Sequence, residues 1–382
     1  MVRFLTAGES HGRGLLGIIE GIPAGLEISA EYIDRQLFRR QQGYGRGGRM
    51  KIESDKAEIV SGVRLGKTIG APIGLLVWNK DWENWKDVMP VEEPNAPIKK
   101  ITLPRPGHAD LAGAIKYGFD DIRPVIERSS ARETAMRVAL GSIARKFLET
   151  FGVTIGSHVL QIGKAKLDNT IRATLSSISA EDISHKADGS EVRAVDNGAA
   201  ERMIAEIQYA QKDGDSVGGI FEVVVDGLPA GLGSYVHWDR KLDAIITQHI
   251  CSIQAVKGVE IGDAFDNAVK RGSEVHDEIF YDVQKGYYRK TNHAGGLEGG
   301  VTTGEKLIIR AAMKPIPTLA RPLMSVDLNT KKPASAHKER TDSCAVPACS
   351  IVAEAMTALA LINPFLEKFG GDSVEEIRKR LC

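Results

Sequence analysis

The sequence predicts an α/β (α+β) fold: a pseudo-symmetric β-α-β sandwich built from a duplicated strand-loop-helix unit, with helices packed against antiparallel or mixed sheets. Three observations support this prediction. Short β-rich runs lie beside glycines, amphipathic stretches alternate with these runs, and one strand-loop-helix segment recurs in the second half of the chain. Alternation of strands and helices is typical of a layered α/β architecture.

The strands and helices follow from local residue patterns. Apolar and β-branched runs bounded by glycine or proline predict strands in GLLGIIEG, APIGLLVW, GIFEVVVDG and EKLIIRAAMK. Apolar residues at helical spacing predict helices over residues 29–41, 130–151, 199–211, 239–254 and 350–362. The last helix is expected to stop at Asn363-Pro364, because proline interrupts the backbone hydrogen bonds of a helix.

An internal repeat relates the two halves of the sequence. Residues 8–26 (GESHGRGLLGIIEGIPAGL) align without a gap on residues 214–232 (GDSVGGIFEVVVDGLPAGL), with eight identities in nineteen positions. Self-similarity of this kind predicts one catalytic domain over residues 1–382, with copy one near 8–42 and copy two near 214–254. Chance similarity between two glycine-rich loops is the alternative.

Comparison of the two copies separates structural residues from candidate functional ones. Gly8, Ser10, Gly12, Gly21 and Pro23 recur in the second copy, whereas Val217 stands where copy one has His11. After a one-residue slip, Ile245 stands opposite Arg40. The fold therefore does not require a histidine or an arginine at these positions, and copy one is expected to be adapted for chemistry.

Composition disfavours several classes of protein. The 382 residues carry 50 Lys plus Arg against 50 Asp plus Glu, so no global positive field attracts nucleic acid or an anionic membrane. The four cysteines lack CxxC spacing, which disfavours both a disulfide framework and a zinc site. The N-terminus has no signal pattern and no stretch is expected to approach the ~18 apolar residues of a membrane span, so a cytoplasmic protein is predicted.

The stretch RRQQGYGRGGR, residues 39–49, combines four arginines with four glycines. A disordered, RNA-coating tail and a folded anion clamp both fit this composition. The folded clamp is favoured because the stretch begins on the last turn of a predicted helix and is followed by KIESDKAEIVSGV, which is typical of folded protein. Guanidinium groups bind carboxylates and phosphates with two parallel hydrogen bonds. A solvated basic loop is the alternative.

The stretch ERSSARETAMR predicts a phosphate site at a helix N-terminus. Ser130 and Glu133 have the spacing of a capping box at the start of a helix. Arg128, Ser129 and Arg132 flank this start and would add donors and positive charge to the helix dipole. An ordinary capped surface helix is the alternative.

Two histidines and one arginine–aspartate pair complete the candidate set. His11 in GESHGRG and His108 in RPGHAD lie in glycine-flanked loops, where an imidazole beside anions can act as an acid or a base. Arg340 and Asp342 form either a structural ion pair or a carboxylate base beside a bound anion. No HxH or HxxxH spacing is found, so no metal site is predicted.

Seven motifs follow one another along the chain in the order GESHGRG, RPGHADLAG, ERSSARETAMR, GDSVGG, SIQAVKGVEIGDAF, NHAGGLEGGVTTGE and RTDSCAVP. Together they resemble the chorismate synthase family over nearly the whole sequence. The resemblance implies a carbon–oxygen lyase that eliminates phosphate and a C6 hydrogen from 5-enolpyruvylshikimate 3-phosphate, in an anti 1,4 sense, to give chorismate. It also implies reduced FMN as cofactor without net oxidation, NADPH as one candidate reductant, and a homotetramer.

The resemblance assigns roles to individual residues. His11 matches the histidine that protonates the departing phosphate, and His108 matches the one that protonates the flavin near N1. Asp342, with Ser10 as relay, matches the carboxylate that takes the substrate proton. The residues that match positions for substrate anions or NADP are Arg40, Arg46, Arg49, Arg105, Arg132 and Arg340. The residues that match FMN positions are Arg128, Ser129, Ser130, Gln254, Ala255, Gly300, Lys314, Pro315, Ile316, Pro317, Thr318 and Arg340.

Two departures from the family pattern affect these assignments. Many relatives carry small hydroxyl residues in the segment KPIPT, so phosphate contact there is expected from the backbone and Lys314. Some relatives have Arg-His-Asp where this chain has Arg340-Thr341-Asp342, which keeps the expected base. Whether the phosphate of the substrate or that of FMN occupies the helix start at Ser130 stays open.

Two rival functions are less favoured by the sequence. A hydride-transfer oxidoreductase would be expected to open a βαβ unit with GxGxxG, and no such motif is found. An RNA-binding module would be expected to carry net positive charge and aromatic base-stacking motifs, and the sequence has neither. Binding of nucleic acid is therefore not predicted.

Overall fold

The computed structural model describes residues 1–47, 53–94, 96–284 and 286–381. The strands are β1 Arg3–Ala7, β2 Gly14–Glu20, β3 Glu58–Ile59, β4 Val63–Arg64, β5 Lys67–Thr68, β6 Ile73–Trp78, β7 Thr154–Ile162, β8 Ala165–Lys166, β9 Gly219–Asp226, β10 Val256–Ile261, β11 Ile279–Asp282, β12 Gly286–Arg289, β13 Leu297–Glu298, β14 Val301–Thr302, β15 Leu307–Met313, β16 Met324–Val326 and β17 Pro333–Ser335. The helices are α1 Ala30–Gln41, α2 Asp110–Tyr117, α3 Arg123–Ser129, α4 Thr134–Glu149, α5 Asn169–Thr174, α6 Ala180–Asp188, α7 Asn197–Lys212, α8 Leu242–Cys251, α9 Ala264–Asn267, α10 Gly272–Val275, α11 Val346–Phe369 and α12 Val374–Leu381. The candidate residue Arg49 lies outside the described residues.

The fold contains two main antiparallel sheets. The first sheet has the strand order β1-β2-β6-β3, and the second has the order β10-β15-β9-β7-β8. Strand β2 pairs with β1 with Ile18 opposite Leu5, and β9 pairs with β15 with Val223 opposite Ile309. The four predicted strand runs correspond to β2, β6, β9 and β15, so these predictions are confirmed.

Helices α4 and α11 fill the space between the two sheets. Helix α4 packs on β2 and β6 of the first sheet, α11 packs on β7 and β9 of the second, and the two helices pack on each other. The side chains at these contacts are apolar and fully buried, with Leu15 and Leu75 on the first sheet and Phe221 on the second. This layering confirms the predicted α/β class and its β-α-β sandwich of helices packed against antiparallel sheets.

Helix α1 brings the arginine-rich stretch to the interior. The Ser29 hydroxyl accepts a hydrogen bond of 3.2 Å from the Tyr32 amide, which caps the helix at its predicted start. Ile33 and Leu37 are fully buried on the face that packs on α4. Because Arg40 lies three residues beyond Leu37, its side chain points to the same buried side, and it is only 5% exposed.

The two GxPAGL loops have the same hydrogen bonds in both halves of the chain. In the first loop, the Thr68 hydroxyl donates to the Pro23 carbonyl at 2.6 Å and accepts from the Leu26 amide at 3.0 Å. In the second, the Thr302 hydroxyl donates to the carbonyl of residue 229 at 2.7 Å and accepts from the amide of residue 232 at 2.8 Å. The predicted duplication of residues 8–42 and 214–254 stays a prediction, and these matching bonds support it.

The predicted helix over 130–151 starts at Ser130 as expected, although its first turn is a 3-10 turn at Ala131–Glu133 that precedes α4. Ser130 has an extended backbone that separates α3 from a short 3-10 turn and α4. The Ser130 hydroxyl accepts from the Arg132 amide at 3.3 Å, whereas the Glu133 carboxylate bonds to Thr6 at 2.6 Å and to Arg137 at 2.9 Å. The predicted capping box is therefore wrong, because tertiary partners take the Glu133 side chain.

Helix α11 is longer than predicted at both ends, starting at Val346 and running through Pro364 to Phe369. The expected stop at Asn363 is wrong, since the Asn363 side chain bonds to the Val2 backbone and Phe365 packs on Phe147 with ring centroids 5.6 Å apart. Within the described ranges, α11 is the one helix long and apolar enough to span a membrane, and 89% of that window is buried in the protein. The expectation that no stretch approaches a span is corrected: α11 has this length and is a core helix.

The predicted helix over 239–254 is shorter in the structure. A 3-10 turn at Trp238–Arg240 precedes α8, which ends at Cys251 and leaves residues 252–255 as a turn. The predicted helix over 199–211 is confirmed as α7. Shortening of α8 matters for the site, because Gln254 and Ala255 then lie in the turn between α8 and β10.

Candidate active site

A cavity of about 630 Å³ collects most of the residues that the sequence singles out. Its wall is formed by the loop after β1, the end of α1, the junction of α3 and α4, the turns before β10 and after β15, and the segment before α11. The predicted residues on this wall are Ser10, His11, Arg40, Arg46, Arg105, His108, Ser129, Ser130, Arg132, Gln254, Ala255, Lys314, Ile316, Pro317, Thr318, Arg340 and Asp342. Residues from both repeat copies therefore contribute to one site.

His11 is held between a carboxylate and an aromatic ring. Its Nδ1 lies 2.9 Å from Oε1 of Glu127, and its backbone amide donates to Oε2 of the same carboxylate at 2.7 Å. The imidazole stacks on Trp85 with ring centroids 3.8 Å apart and an interplanar angle of 19°. His11 is 8% exposed and lines the cavity. Its ring is therefore fixed in both position and plane.

Glu127 is buried and ionised. Burial by itself raises the pKa of a carboxyl, but hydrogen bonds and charge from His11, with further charge from Arg123, hold the pKa of Glu127 below its ordinary value. Arg123 donates to Oε1 of Glu127 at 3.0 Å and to Glu339 at 3.0 Å. Glu339 lines the cavity. Arg123 therefore links the His11–Glu127 pair to the segment before α11.

His108 lies in a similar arrangement on the other side of the cavity. Its Nδ1 is 2.5 Å from Oδ1 of Asp110, which is fully buried at the start of α2. Arg105 donates to both oxygens of Asp110, at 2.8 and 3.0 Å, and to the Thr318 hydroxyl at 2.8 Å. Burial opposes ionisation of Asp110, yet hydrogen bonds from His108 and Arg105 lower its pKa well below the ordinary range. A stable carboxylate thus orients both the imidazole and the guanidinium.

Arg132 and Arg40 share one buried carboxylate, Asp55. Nη1 of Arg132 donates to the two oxygens of Asp55 at 2.6 and 2.7 Å, and Nη1 of Arg40 lies 3.7 Å from Oδ2. Among the described residues, Nη2 of Arg132 and Nη1 of Arg40 are buried nitrogens without a hydrogen-bond partner. Burial lowers the pKa of Arg40 to about 9, so it stays charged at neutral pH. Nη2 of Arg132 also lies 3.8 Å from Oε2 of the buried Glu53, an ion pair without a hydrogen bond, so both nitrogens keep hydrogen-bonding capacity that fits an anionic ligand.

Asp342 is tied to the arginine-rich stretch. Its Oδ1 accepts from the Gly47 amide at 2.6 Å, and its Oδ2 lies 3.0 Å from Nη1 of Arg46. Arg340, in contrast, has a half-exposed side chain that donates to Asp81 at 2.7 Å. The sequence left open whether Arg340 pairs with Asp342; the structure gives the two side chains different partners.

The predicted flavin residues after α8 adopt an unusual backbone. Ala255 has φ of +69°, a left-handed conformation that non-glycine residues rarely adopt and that is found most often at functional sites. Its carbonyl accepts from the Lys314 amide at 2.9 Å, which joins this turn to the segment after β15. The neighbouring Gln254 donates to Glu133 at 3.2 Å, while its buried Oε1 has no hydrogen-bond partner among the described residues.

The KPIPT segment is held by both halves of the chain. The Lys314 ammonium donates to the Gly107 carbonyl in the loop that carries His108. The Ile316 carbonyl accepts from the Ser216 hydroxyl at 2.6 Å. Ser216 is the repeat counterpart of Ser10, whose own hydroxyl accepts from Ser130 at 3.1 Å. The copy-two loop therefore supports the cavity wall, whereas the copy-one loop carries the histidine.

Three predicted flavin residues do not line the cavity. Arg128 points outward and donates to the Thr6 carbonyl at 2.8 Å. Gly300 lies in the turn between β13 and β14, and its carbonyl accepts from the Leu242 amide at the start of α8 at 3.0 Å. Pro315 is also absent from the wall that the described residues form. The placement of these three residues gives no support to their predicted contact with FMN, which stays a prediction.

The predicted phosphate site on a free helix start is not formed as expected. The Arg132 amide donates to the Ser130 hydroxyl at 3.3 Å, and the Glu133 amide donates to the Ser130 carbonyl at 3.2 Å. The Ser129 hydroxyl is engaged as well, donating to the Val125 carbonyl at 2.5 Å. Anion binding at this corner therefore depends on guanidinium groups more than on amides of the helix.

Several residues of the site were missed from the sequence. Asp55, Trp85 and Asp110 contact the predicted arginines and histidines, and Glu127 lay inside a quoted motif without receiving a role. Lys257 and Glu339 line the cavity without having been predicted. A buried carboxylate next to a catalytic imidazole could have been anticipated only for Asp110, which lies two residues from His108.

The cavity is suited to a small ligand with several negative charges. Among the described residues, its wall carries seven Lys and Arg side chains, Asp342, Glu339 and two imidazoles. In the same part of the chain, no group of three His, Cys, Asp or Glu has the arrangement of a metal site. Arginines neutralise and orient such a ligand, and the fixed imidazoles and carboxylate can exchange protons with it. The fold and the cavity thus fit an enzyme of the α/β class whose site suits a small molecule with several negative charges.

The comparisons with known proteins agree with this class. The chorismate synthase family model matches residues 2–366. The chain is 56% identical over 379 residues to the chorismate synthase of Alkaliphilus metalliredigens, covering 99% of this chain and 98% of that protein. It is 55% identical over 385 residues to that of Chlorobium limicola, covering 100% and 97%. A solved structure described as "Crystal Structure of Chorismate Synthase" matches with a TM-score of 0.80 and 42% identity, covering 100% of this chain and 96% of that chain.

The chain therefore belongs to the chorismate synthase family and is a carbon–oxygen lyase. The resemblance found in the sequence motifs is confirmed over the whole length of the chain.

Proposed function

We propose that this enzyme converts 5-enolpyruvylshikimate 3-phosphate into chorismate by anti 1,4-elimination of phosphate, with reduced FMN bound in the same cavity. The observation that carries the proposal is the convergence of Arg40, Arg46, Arg105 and Arg132 on a cavity that also holds His11. Substrate and FMN together bring two carboxylates and two phosphates. Several guanidinium groups are needed to offset the repulsion among these charges.

The residues on the wall fit a flavin. The buried Oε1 of Gln254 lacks a hydrogen-bond partner among the described residues and can accept from an N–H group of the ring system. Ala255, Ile316 and Pro317 add apolar surface to the same wall, and Lys314 supplies positive charge. Bound reduced FMN would supply transient electron density that weakens the allylic carbon–oxygen bond of the substrate.

The chain's own residues would bind, orient and exchange protons. Buried donors of Arg40 and Arg132 would hold anionic groups of the substrate. His11 would donate a proton to the departing phosphate, which is a poor leaving group when fully charged. Asp342, with Ser10 as relay, would take the proton that leaves C6, and His108 would stabilise negative charge on the flavin near N1. NADPH is one candidate source of electrons for the flavin, with Arg40 and Arg46 as its contacts.

Anaerobic turnover tests this proposal. Photoreduced FMN, enzyme and 5-enolpyruvylshikimate 3-phosphate are mixed, and chorismate absorbance and released phosphate are followed together. We expect one phosphate per chorismate and no stoichiometric consumption of NADPH when it is added. Consumption of one NADPH per product would instead indicate a hydride-transfer oxidoreductase, and absence of phosphate release with reduced FMN would overturn the proposal.

The proposal also covers the oligomeric state and the cellular location of the protein. By resemblance, we propose a homotetramer in the cytoplasm, with a small molecule rather than nucleic acid or membrane as its partner. Light scattering after size-exclusion chromatography measures the assembly directly. A mass near that of one 41.4 kDa chain would contradict the tetramer.

A further inference from the structure

We propose that Glu127 is the positioning residue of His11: its carboxylate holds a proton on Nδ1, so that Nε2 is the nitrogen that exchanges a proton with the ligand. The inference deepens the proposed function and rests on the acid role given there to His11. Nothing in the sequence motifs assigned a role to Glu127, although it lies at the first position of ERSSARETAMR.

The first support is the set of donors around the Glu127 carboxylate. The His11 amide donates to Oε2 at 2.7 Å, Arg123 donates to Oε1 at 3.0 Å, and Nδ1 of His11 lies 2.9 Å from the same Oε1. A carboxylate that accepts from an amide and a guanidinium is ionised and has only acceptor atoms. The imidazole nitrogen that faces it must therefore carry the hydrogen.

The second support is that Glu127 fixes both the backbone and the side chain of His11. Oε2 holds the amide and Oε1 holds the ring, so rotation of the imidazole would break a bond while the backbone stays in place. The Trp85 ring, stacked at 3.8 Å, fixes the plane of the imidazole. Trp85 is held in turn by its own hydrogen bond of 3.2 Å to Asp81. With position and tautomer both set, the proton donor needs no reorganisation when the ligand binds.

The chain offers a matched control in its other half. His158 and Glu222 form a second buried imidazole–carboxylate pair, with Nε2 of His158 3.2 Å from Oε1 of Glu222. Both residues are buried in the second sheet and neither lines the cavity. A Glu222→Gln variant therefore removes the same kind of charge from the same kind of pair without touching the site.

The test combines a double-mutant cycle with a spectroscopic measurement. Glu127→Gln keeps the size of the side chain but removes the negative charge that stabilises hydrogen on both ring nitrogens of His11, and it leaves one acceptor oxygen for the His11 amide, the His11 ring and Arg123. We expect kcat to fall roughly 10- to 100-fold, a part of what a positioned acid supplies, with a smaller change in KM. The same substitution in a His11→Val background is expected to cause no further loss, because its effect passes through His11. Glu222→Gln is expected to leave kcat unchanged.

Nitrogen-15 NMR of histidine-labelled enzyme reads the tautomer directly and does not depend on turnover. The His11 signal, assigned by its loss in His11→Val, is expected to show a hydrogen on Nδ1 in the parent protein, both before and after Nε2 gives up its proton, and to change in Glu127→Gln. A neutral Nε2–H tautomer in the parent protein would overturn the inference, even if Glu127→Gln fails to fold. So would an equal loss of kcat in both backgrounds. If His11→Val turned over at the rate of the parent protein, the acid role of His11 in the proposed function would be overturned. The nitrogen-15 measurement of the ring would still test whether Glu127 positions His11.

Discussion

At the scale of single residues, both imidazoles and several arginines of the site are paired with a buried carboxylate. Glu127 lies behind His11, Asp110 behind His108, and Asp55 behind Arg132. Each carboxylate fixes the orientation of its partner and offsets part of the charge. The partners keep enough donor capacity for an anionic ligand, as the unsatisfied Nη2 of Arg132 shows within the described residues.

Replacement of His11 by valine tests its role at this scale. Val217 occupies the equivalent position of the second copy, so the loop tolerates valine. We expect turnover to fall by roughly 10²- to 10⁴-fold, the usual contribution of a positioned acid, while the substrate KM changes less. The measurement is chorismate formation under anaerobic conditions, with urea unfolding as the control for folding. If the folded variant turned over at the rate of the parent protein, an acid role for His11 would be excluded.

At the scale of elements, one buried carboxylate joins three helices, a strand and the segment after α6. Glu354 of α11 accepts from Arg39 of α1 at 2.7 Å and from Ser157 of β7 at 2.7 Å, and Arg145 of α4 also donates to it. Arg193, in the segment after α6, lies 3.4 Å away. This cluster sets the position of the last turn of α1, from which the neighbouring Arg40 reaches the cavity.

Removal of the Glu354 charge should therefore destabilise the whole fold. In Glu354→Gln, the buried Arg193 and the partly buried Arg39 and Arg145 lose their shared counter-charge, and we expect a loss of roughly 3–5 kcal/mol in the free energy of unfolding. Urea denaturation measures this change. The control is Glu367→Gln on the same helix, whose partner Arg240 is half-exposed, and for which a change within about 0.5 kcal/mol is expected. Equal effects of the two substitutions would contradict a structural role of the cluster.

The contact between α4 and α11 gives a second prediction at the scale of elements. A Cβ added at Gly141 of α4 would lie 2.6 Å from the Ala355 side chain and 2.8 Å from its carbonyl on α11. Although alanine is a better helix former than glycine, we expect Gly141→Ala to destabilise the protein by about 1–3 kcal/mol, because the helices must separate.

Gly198, in the first turn of α7, is the matched control for this substitution. A Cβ at this position meets only atoms at 3.4 Å or more, so Gly198→Ala is expected to be neutral or to stabilise the protein by up to about 1 kcal/mol. Thermal or urea unfolding of the two variants compares them. A stabilising Gly141→Ala would show that the two helices are not packed as closely as described.

At the scale of the whole molecule, the fold keeps several carboxylates ionised. Burial works against ionisation of Glu339, yet a hydrogen bond from His337 and the charge of Arg123 lower its pKa to about 2. The pKa of Glu354 is likewise lowered, because the charges of Arg39, Arg145 and Arg193 outweigh its burial. Glutamates in an unfolded chain titrate near pH ~4.3, well above these folded values.

Stability is therefore expected to depend on pH in the acid range with a defined sign. A carboxyl whose pKa is lower in the folded state contributes its full stabilisation above the unfolded pKa and loses it as pH falls towards the folded pKa. We expect the free energy of unfolding to decrease steadily below about pH 4.5, as measured by urea denaturation at successive pH values. The slope should be shallower in Glu354→Gln, and a stability that rises on acidification would contradict the assignment of these ion pairs.

The sequence by itself determined the family, the class of the fold, the strands β2, β6, β9 and β15, and most of the cationic residues of the cavity. These properties are local: they depend on motif order, on apolar spacing and on residue type, which the linear chain carries. Only the tertiary structure decided that Glu127 supports His11 and that α11 continues through Pro364. These features depend on contacts between residues more than a hundred positions apart, such as His11 with Glu127 and Asn363 with Val2, and side-chain partners at that distance are set by packing rather than by neighbouring residues.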